Sequence, residues 1–156
     1  MRNLFIFAFL SIYILPFNLT ALDLTNLKLE DGFEISIFAE NLDAPRQMAE
    51  GENGTIFVGE RGGQILALID SDKNGQVDSK IIIATDLEYS TGISLYDGDL
   101  YFSEISKIWK IENVEKWVSN YTIDSNFPKK ILVVDNLPDD QWHGWKWLKH
   151  DQAGGI

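Results

Sequence analysis

Gly54-Thr55-Ile56-Phe57-Val58-Gly59-Glu60 and Gly98-Asp99-Leu100-Tyr101-Phe102-Ser103-Glu104 are two copies of one phrase, 44 residues apart at both the glycine and the glutamate. Each starts on a turn residue, runs through a few apolar positions and stops on a carboxylate. The match extends downstream, where Gln64-Ile65-Leu66-Ala67-Leu68-Ile69-Asp70 lies against Lys107-Ile108-Trp109-Lys110-Ile111-Glu112. It extends upstream too, where Asn41-Leu42-Asp43-Ala44-Pro45 lies against Asp86-Leu87-Glu88-Tyr89-Ser90. A third copy opens at Asn136-Leu137-Pro138, runs through His143-Gly144-Trp145 and reaches Gly154.

Within each copy the apolar runs are short and punctuated by Gly, Asp and Asn, which is the pattern of strands and tight turns. Strands are expected over 33–39, 55–59, 64–69, 81–84, 99–103, 107–112 and 130–135. In the first of these, Phe33, Ile35 and Ile37 alternate onto one face. Glu60-Arg61-Gly62-Gly63 reads as a hairpin turn, with an anion contact by Arg61 as its other reading. Residues 114–118 allow one helical turn, and no segment carries a long helical period, so the fold class is all-β.

A repeat of about 40–50 residues holding four short strands is the signature of a propeller blade. A twisted four-stranded blade has two apolar faces and buries them only against neighbours, which closes the blades into a ring of about 4–8. At 44 residues per blade, residues 22–156 hold two blades and the start of a third, the N-terminal part of an incomplete propeller domain.

Residues 1–21 read as a leader rather than as part of the fold. Arg2 is the sole charge before Asp23, residues 4–17 are almost unbroken apolar, and the stretch ends at Ala21. This pattern reads as a secretory signal peptide cleaved after Ala21, which would direct the protein to the periplasm or the exterior, with an uncleaved membrane anchor as the other reading. The run is shorter than the roughly 20 residues of a bilayer span, so no stable membrane span is expected. The chain has a net charge of −11, which opposes nucleic-acid and anionic-lipid partners. It has no cysteine, so disulfides, thiolate chemistry and covalent haem attachment are excluded within it.

Two motifs have chemistry in them. The innermost strand of a blade lines the central channel, and the positions at its mouth fall near Arg46, Thr91 and His143. The third lies in Gln141-Trp142-His143-Gly144-Trp145-Lys146-Trp147. An imidazole there is a candidate base, titrating near neutrality, and indole rings stack on planar ligands or sugars. The alternative is that the tryptophans pack between blades and His143 is a loop residue. His150 has no comparable setting and reads as surface. The second motif runs from residue 70 to 78. Asp70, Asp72, Asn74 and Asp78 supply oxygens at positions 1, 3, 5 and 9 of a calcium loop, with Gly75 at position 6. Position 12 is Ile81 instead of a bidentate carboxylate, so either weak calcium binding or a plain polar turn fits.

In order and spacing these pieces resemble the glucose/sorbosone dehydrogenase family. The resemblance rests on Asp31-Gly32-Phe33-Glu34-Ile35, Phe38-Ala39, Pro45-Arg46-Gln47-Met48-Ala49 and Val58-Gly59-Glu60-Arg61. It continues through the 70–78 loop, Thr91-Gly92-Ile93, Asp97-Gly98-Asp99-Leu100-Tyr101 and Leu137-Pro138 into His143-Gly144-Trp145-Lys146. It implies a six-bladed propeller that binds pyrroloquinoline quinone (PQQ) over its channel. Such a protein oxidises an aldose or related sugar by hydride transfer, with His143 at the position of the general base. Calcium is a possible second cofactor. Trp142 stands where relatives often carry His or Asp, and Lys149-His150-Asp151-Gln152 replaces the usual Gly-Pro-Asp turn. The family's quinone-carboxylate contacts and main calcium ligands lie in later blades, so no quinone-binding residue transfers by resemblance. The residues alone leave two other functions open, a calcium-dependent lactonase-like hydrolase and a non-catalytic sugar- or protein-binding propeller. The inner-strand mouths lack the carboxylate cluster that a lactonase would use.

Overall fold

A computed structural model describes residues 24–140 and 142–156; the proposed leader, residues 1–21, and Gln141 lie outside the described residues. The chain divides into two units, Met1–Ile35 and Ser36–Ile156. In the first, the described residues 24–35 form two turns, with Leu27 N–H donating to Leu24 and Phe33 N–H to Glu30.

The second unit holds two antiparallel sheets of four strands each, both in simple sequential order. The first contains β1 (Pro45–Glu50), β2 (Ile56–Glu60), β3 (Gln64–Ile69) and β4 (Ser79–Ala84). The second contains β5 (Ile93–Tyr96), β6 (Asp99–Ser103), β7 (Ile108–Ile111) and β8 (Ile131–Val134). A short helix, α1 (Val114–Ser119), sits between β7 and β8.

These sheets are the two repeats. Val58 pairs with Met48 in the first and Phe102 with Ile93 in the second, so the repeated phrase occupies the second strand of each blade. The phrase ends on a glutamate for a structural reason. Glu60 Oε1 accepts the Asp43 N–H at 2.7 Å, and Glu104 Oε1 accepts the Glu88 N–H at 3.0 Å. Each carboxylate is buried and pins the loop that leads into an inner strand. Glu104 also receives the Trp109 indole N–H at 2.8 Å.

Alternation within the strands assigns the faces. On β5, Ile93 and Leu95 point towards the first blade and join Phe57, Ile65, Ala67 and Ile83 in one core with Leu100, Phe102, Ile111 and Val114. The core is dry and aliphatic with two phenylalanines, and Phe57, Ile65, Ile83 and Phe102 are fully buried. Burying a side chain of this size is worth about 1.5–3 kcal/mol, so this interface is the main source of cohesion. Across β6 and β7, Lys110 bonds Asp99 at 3.0 Å and Glu112 at 3.1 Å. The Asp99 bond first, then that to Glu112, raises the ammonium pKa above the ordinary lysine range.

Two glycines in the first blade are sterically required. Gly63 has φ +92°, and a Cβ there would lie 2.5 Å from the Leu87 carbonyl oxygen. A Cβ on Gly59 would lie 2.8 Å from the Ser90 carbonyl oxygen, so glycine lets the entrance of the second blade lie against the first.

The expected strand over 33–39 does not form. Phe33 and Ile35 are exposed, and their alternation has no partner strand among the described residues. From residue 36 onward the chain instead lays Phe38, Ala39 and Leu42 on the outer face of the first blade, against Val58, Leu66 and Leu68. Phe38 is held there by its carbonyl, which accepts the Val77 N–H at 2.9 Å. The inner strands β1 and β5 are only half apolar, β5 alternating Ile93 and Leu95 with Ser94 and Tyr96, and neither is among the strands expected from sequence.

Candidate functional site

The head of β1 is irregular. Pro45 pairs with Glu60 and Gln47 with Gly59, which leaves Arg46 as the extra residue of a β-bulge. Bulges re-aim side chains at strand ends, and here the guanidinium of Arg46 lies 5.0 Å from the centre of the Trp145 ring. Arg61, from the β2–β3 turn, lies 4.8 Å from the same ring and 5.5 Å from that of Tyr89. Tyr89 and Trp145 are stacked at 6.4 Å with 27° between planes.

The chain contains three arginines, Arg2, Arg46 and Arg61. Both described ones converge on Trp145. In a chain of net charge −11, among the described residues, neither guanidinium has a carboxylate oxygen within 4.0 Å. The Trp145 indole N–H is buried and has no hydrogen-bond partner. Two uncompensated cations, two aromatic faces and an unused donor suit a flat ligand carrying negative charge.

His143 sits beside this cluster in sequence, on a loop longer than its counterpart. Leu87 and Leu137 hold equivalent backbone bonds, to Gly63 and Ser106. From Leu87 to the inner-strand residue Ile93 is six steps, but from Leu137 to Leu148 is eleven. The added length makes a turn organised by Asp140. Its carbonyl accepts the Gly144 and His143 N–H groups, and its Oδ1 accepts those of Trp142 and His143. The same Oδ1 lies 4.0 Å from His143 Nδ1. Lys146 closes the loop through its ammonium, which donates to the carbonyls of Pro138 and Gly144. The His143 side chain is 87% exposed, leaving Nε2 open to a ligand.

The mouth expected from sequence is thus partly reassigned. Arg46 bears on the Trp145 ring, and His143 is an exposed loop residue. Thr91 is buried, with its hydroxyl donating to the Lys146 carbonyl at 3.2 Å, and it joins repeats instead of facing a ligand. Tyr89, two residues earlier and held at φ 51°, is the residue exposed to the cluster. Trp142 and Trp147 are exposed, and neither packs between the blades. His150 is not a surface residue. Its Nδ1 is 2.8 Å from Ser94 Oγ, and its ring stacks on Tyr96 at 5.0 Å and meets Tyr101 edge-on at 4.4 Å. Burial lowers its pKa below the usual histidine value, with Asp151 opposing. Asp140 and Tyr89 are the residues that sequence reasoning missed. The Asp-x-x-His spacing was the one available signal for the first.

The 70–78 loop closes between β3 and β4 through the Asp78 N–H on the Ile69 carbonyl. Asp70 accepts the N–H groups of Asn74 and Gly75, Asp72 accepts Asn74, and Asp78 accepts Ser71. One oxygen from each of Asp70, Asp72 and Asp78 lies within 4.8 Å of the others. Ile81 is buried in β4 opposite Ala67, so position 12 is committed to the core.

No family model matches the chain. It is 30% identical to an uncharacterized protein of Borreliella burgdorferi, across 81% of this chain and 33% of that protein. Among solved structures it is similar to the holo form of the PQQ domain of pyranose dehydrogenase from Coprinopsis cinerea. The TM-score is 0.64 at 18% identity, over 81% of this chain and 29% of the other. The iodide and calcium structures of a Trichoderma reesei carbohydrate-active enzyme of family AA12 give TM-scores of 0.54 and 0.55 at 21% and 20% identity. They cover 69% and 70% of this chain, and 27% of theirs. The chain therefore spans about a third of the length of these proteins. The shared fold makes the two sheets blades of a β-propeller. Among the described residues, no helix is long and apolar enough to cross a membrane.

Proposed function

We propose that this chain contributes the first blades of a propeller that oxidises an aldose or related sugar by hydride transfer to bound PQQ. The observation that carries the reading is the convergence of Arg46 and Arg61 on Trp145 without carboxylate partners. PQQ is flat and carries carboxylates, and these residues fit it. The guanidiniums would hold its acidic edge, the Tyr89 and Trp145 rings would flank its plane, and the buried indole N–H would gain an acceptor. The bound quinone supplies the two-electron sink.

His143 is the base in this reading. With a proton on Nδ1 facing Asp140, Nε2 is the free acceptor for a sugar hydroxyl proton. Taking that proton raises the electron density that expels the hydride from carbon. Asp140 holds the turn that carries the imidazole through its bonds to the Trp142, His143 and Gly144 N–H groups. The oxidoreductases among the similar folds support this class of chemistry over hydrolysis. Export through the 1–21 leader would place the protein in the periplasm or outside the cell. Asp70, Asp72, Asn74 and Asp78 would bind calcium weakly, because the position 12 carboxylate is absent.

Titration of the chain with PQQ, followed by tryptophan fluorescence, tests the cofactor assignment. Saturable quenching is expected, and it should weaken on Arg46→Gln and disappear on adding Arg61→Gln. Quenching unchanged in the double variant defeats the assignment. For the base, in a complete propeller that carries this chain, His143→Ala should leave quinone binding intact and slow single-turnover reduction by an aldose about 10²–10⁴-fold. A near-native rate would remove His143 from the mechanism.

A further inference from the structure

Gln47 follows the bulged Arg46 on the innermost strand of the first blade, and its half-buried side chain reaches across both other repeats. Its Oε1 accepts the Ile93 N–H at 3.2 Å, at the start of β5. The same Oε1 accepts the Leu148 N–H at 3.1 Å, and its Nε2 donates to the Leu148 carbonyl at 2.8 Å. One primary amide thus binds the start of β5 in the second repeat and Leu148 in the third, and with Leu148 it makes the paired donor–acceptor exchange that a neighbouring strand would make.

Leu148 needs this contact. No described residue beyond β8 belongs to a regular strand, so the segment that follows the His143 loop has no ladder of its own. Its attachments are few. Among the described residues, its hydrogen bonds to the first two repeats are the Gln47 pair, the Thr91 hydroxyl on the Lys146 carbonyl, and the Ser94–His150 bond. Gly92 permits the close approach, since a Cβ there would lie 2.7 Å from the Lys146 oxygen and 2.9 Å from Leu148 Cγ. The loop from Leu137 to Leu148 is tied at one end by the Leu137 N–H on the Ser106 carbonyl and at the other by Gln47. Trp145 and His143 lie between those ties.

We infer that Gln47 is a positioning residue. It fixes the far end of the His143 loop to the strand that bears Arg46, and so sets the base and the Trp145 ring relative to the guanidiniums. The catalytic part of this inference rests on the proposed function, whereas the anchoring part does not. Replacing this half-buried amide by an apolar side chain of similar length leaves the Ile93 and Leu148 groups without that partner. A glutamate in its place keeps both acceptor roles but sets a carboxylate against the Leu148 carbonyl.

The test is backbone amide exchange on the full chain, read at Leu148 and Ile93 with Leu66 of β3 as control. In Gln47→Met, exchange at Leu148 and Ile93 should quicken about tenfold or more, with Leu66 unchanged. In Gln47→Glu, Leu148 should quicken while Ile93 stays protected, which keeps the test alive if the methionine variant does not fold. Equal protection at Leu148 in the variant and the parent overturns the anchor. In a quinone-loaded complete propeller that carries this chain, the glutamate variant should lower kcat with KM for the sugar nearly unchanged. Faster exchange with an unaltered kcat overturns the positioning role. A complete propeller that carries the parent chain and binds PQQ but oxidises no sugar defeats the proposed function, and exchange alone then decides the anchor.

Discussion

The two joints between repeats are built from opposite materials. The first blade meets the second through aliphatic and phenylalanine side chains, with Phe57, Ile65 and Ile83 against Ile93, Leu100 and Phe102. The second blade meets the third repeat through polar and aromatic groups. These are the Thr91 and Ser94 hydroxyls and His150 between Tyr96 and Tyr101, and the Gln47 amide of the first blade adds a bond to the same repeat. Leu148 is the one buried apolar side chain that the third repeat contributes among the described residues. A single strand explains the split, because β5 turns Ile93 and Leu95 one way and Ser94 and Tyr96 the other. The apolar joint gives non-directional cohesion. The polar joint gives weaker but directional fixing, which suits the side that presents the His143 loop.

The contrast is broken most severely in the apolar joint. Phe102→Ala removes a fully buried ring and should destabilise the chain by about 3–5 kcal/mol in denaturant unfolding. A loss below about 1 kcal/mol would mean that this joint is not the main core. Ser94→Ala should cost less, about 1 kcal/mol, with the change in amide protection confined to residues near His150. Protection lost throughout β2 and β3 would show that the joints are not separable.

The polar joint also predicts a pH response that the apolar one lacks. The folded pKa of His150 is below its unfolded value of 6.5. The neutral ring is therefore favoured by folding, and its stabilisation is complete above about 6.5 and lost as pH falls through the lower folded value. The groups facing it are Ser94, Tyr96 and Tyr101, with Asp151 adjacent and the Lys110–Asp99 pair on the same face of the second blade. His150→Phe should flatten the acid limb of a plot of urea midpoint against pH, compared with the parent. Matching curves would remove His150 as the titrating group. The smallest effect is expected at the loop from 70 to 78. Asp72→Asn should abolish any heat released on adding millimolar calcium while hardly changing stability without it, because that side chain is exposed. Heat that survives the substitution would place the ion elsewhere.

Most of the outer framework was legible in the residues. The strands at 55–59, 64–69, 99–103 and 107–112 agree with β2, β3, β6 and β7 to within one or two residues. Their signal is local, since turn glycines and a two-residue period act over four to six positions. The failure at 33–39 has the same origin, because alternation marks a face that would suit burial but cannot supply a partner strand. The inner strands β1 and β5 were illegible as strands, because their side chains serve a bulge, a cross-repeat amide and a polar joint.

By itself, the sequence determined the repeat, the hairpins, the all-β class and the two motifs around His143 and Asp70. These depend on near neighbours and on spacing that 44 residues of self-similarity make visible. Tertiary structure alone decided that Arg46 and Arg61 share Trp145, that Gln47 reaches Leu148, that Thr91 turns inward and that His150 is half-buried against Ser94 and Tyr96. Each of these pairs residues from different repeats, up to 101 positions apart. The stacking of blades sets such distances, and no local period encodes which side chains then meet across a joint.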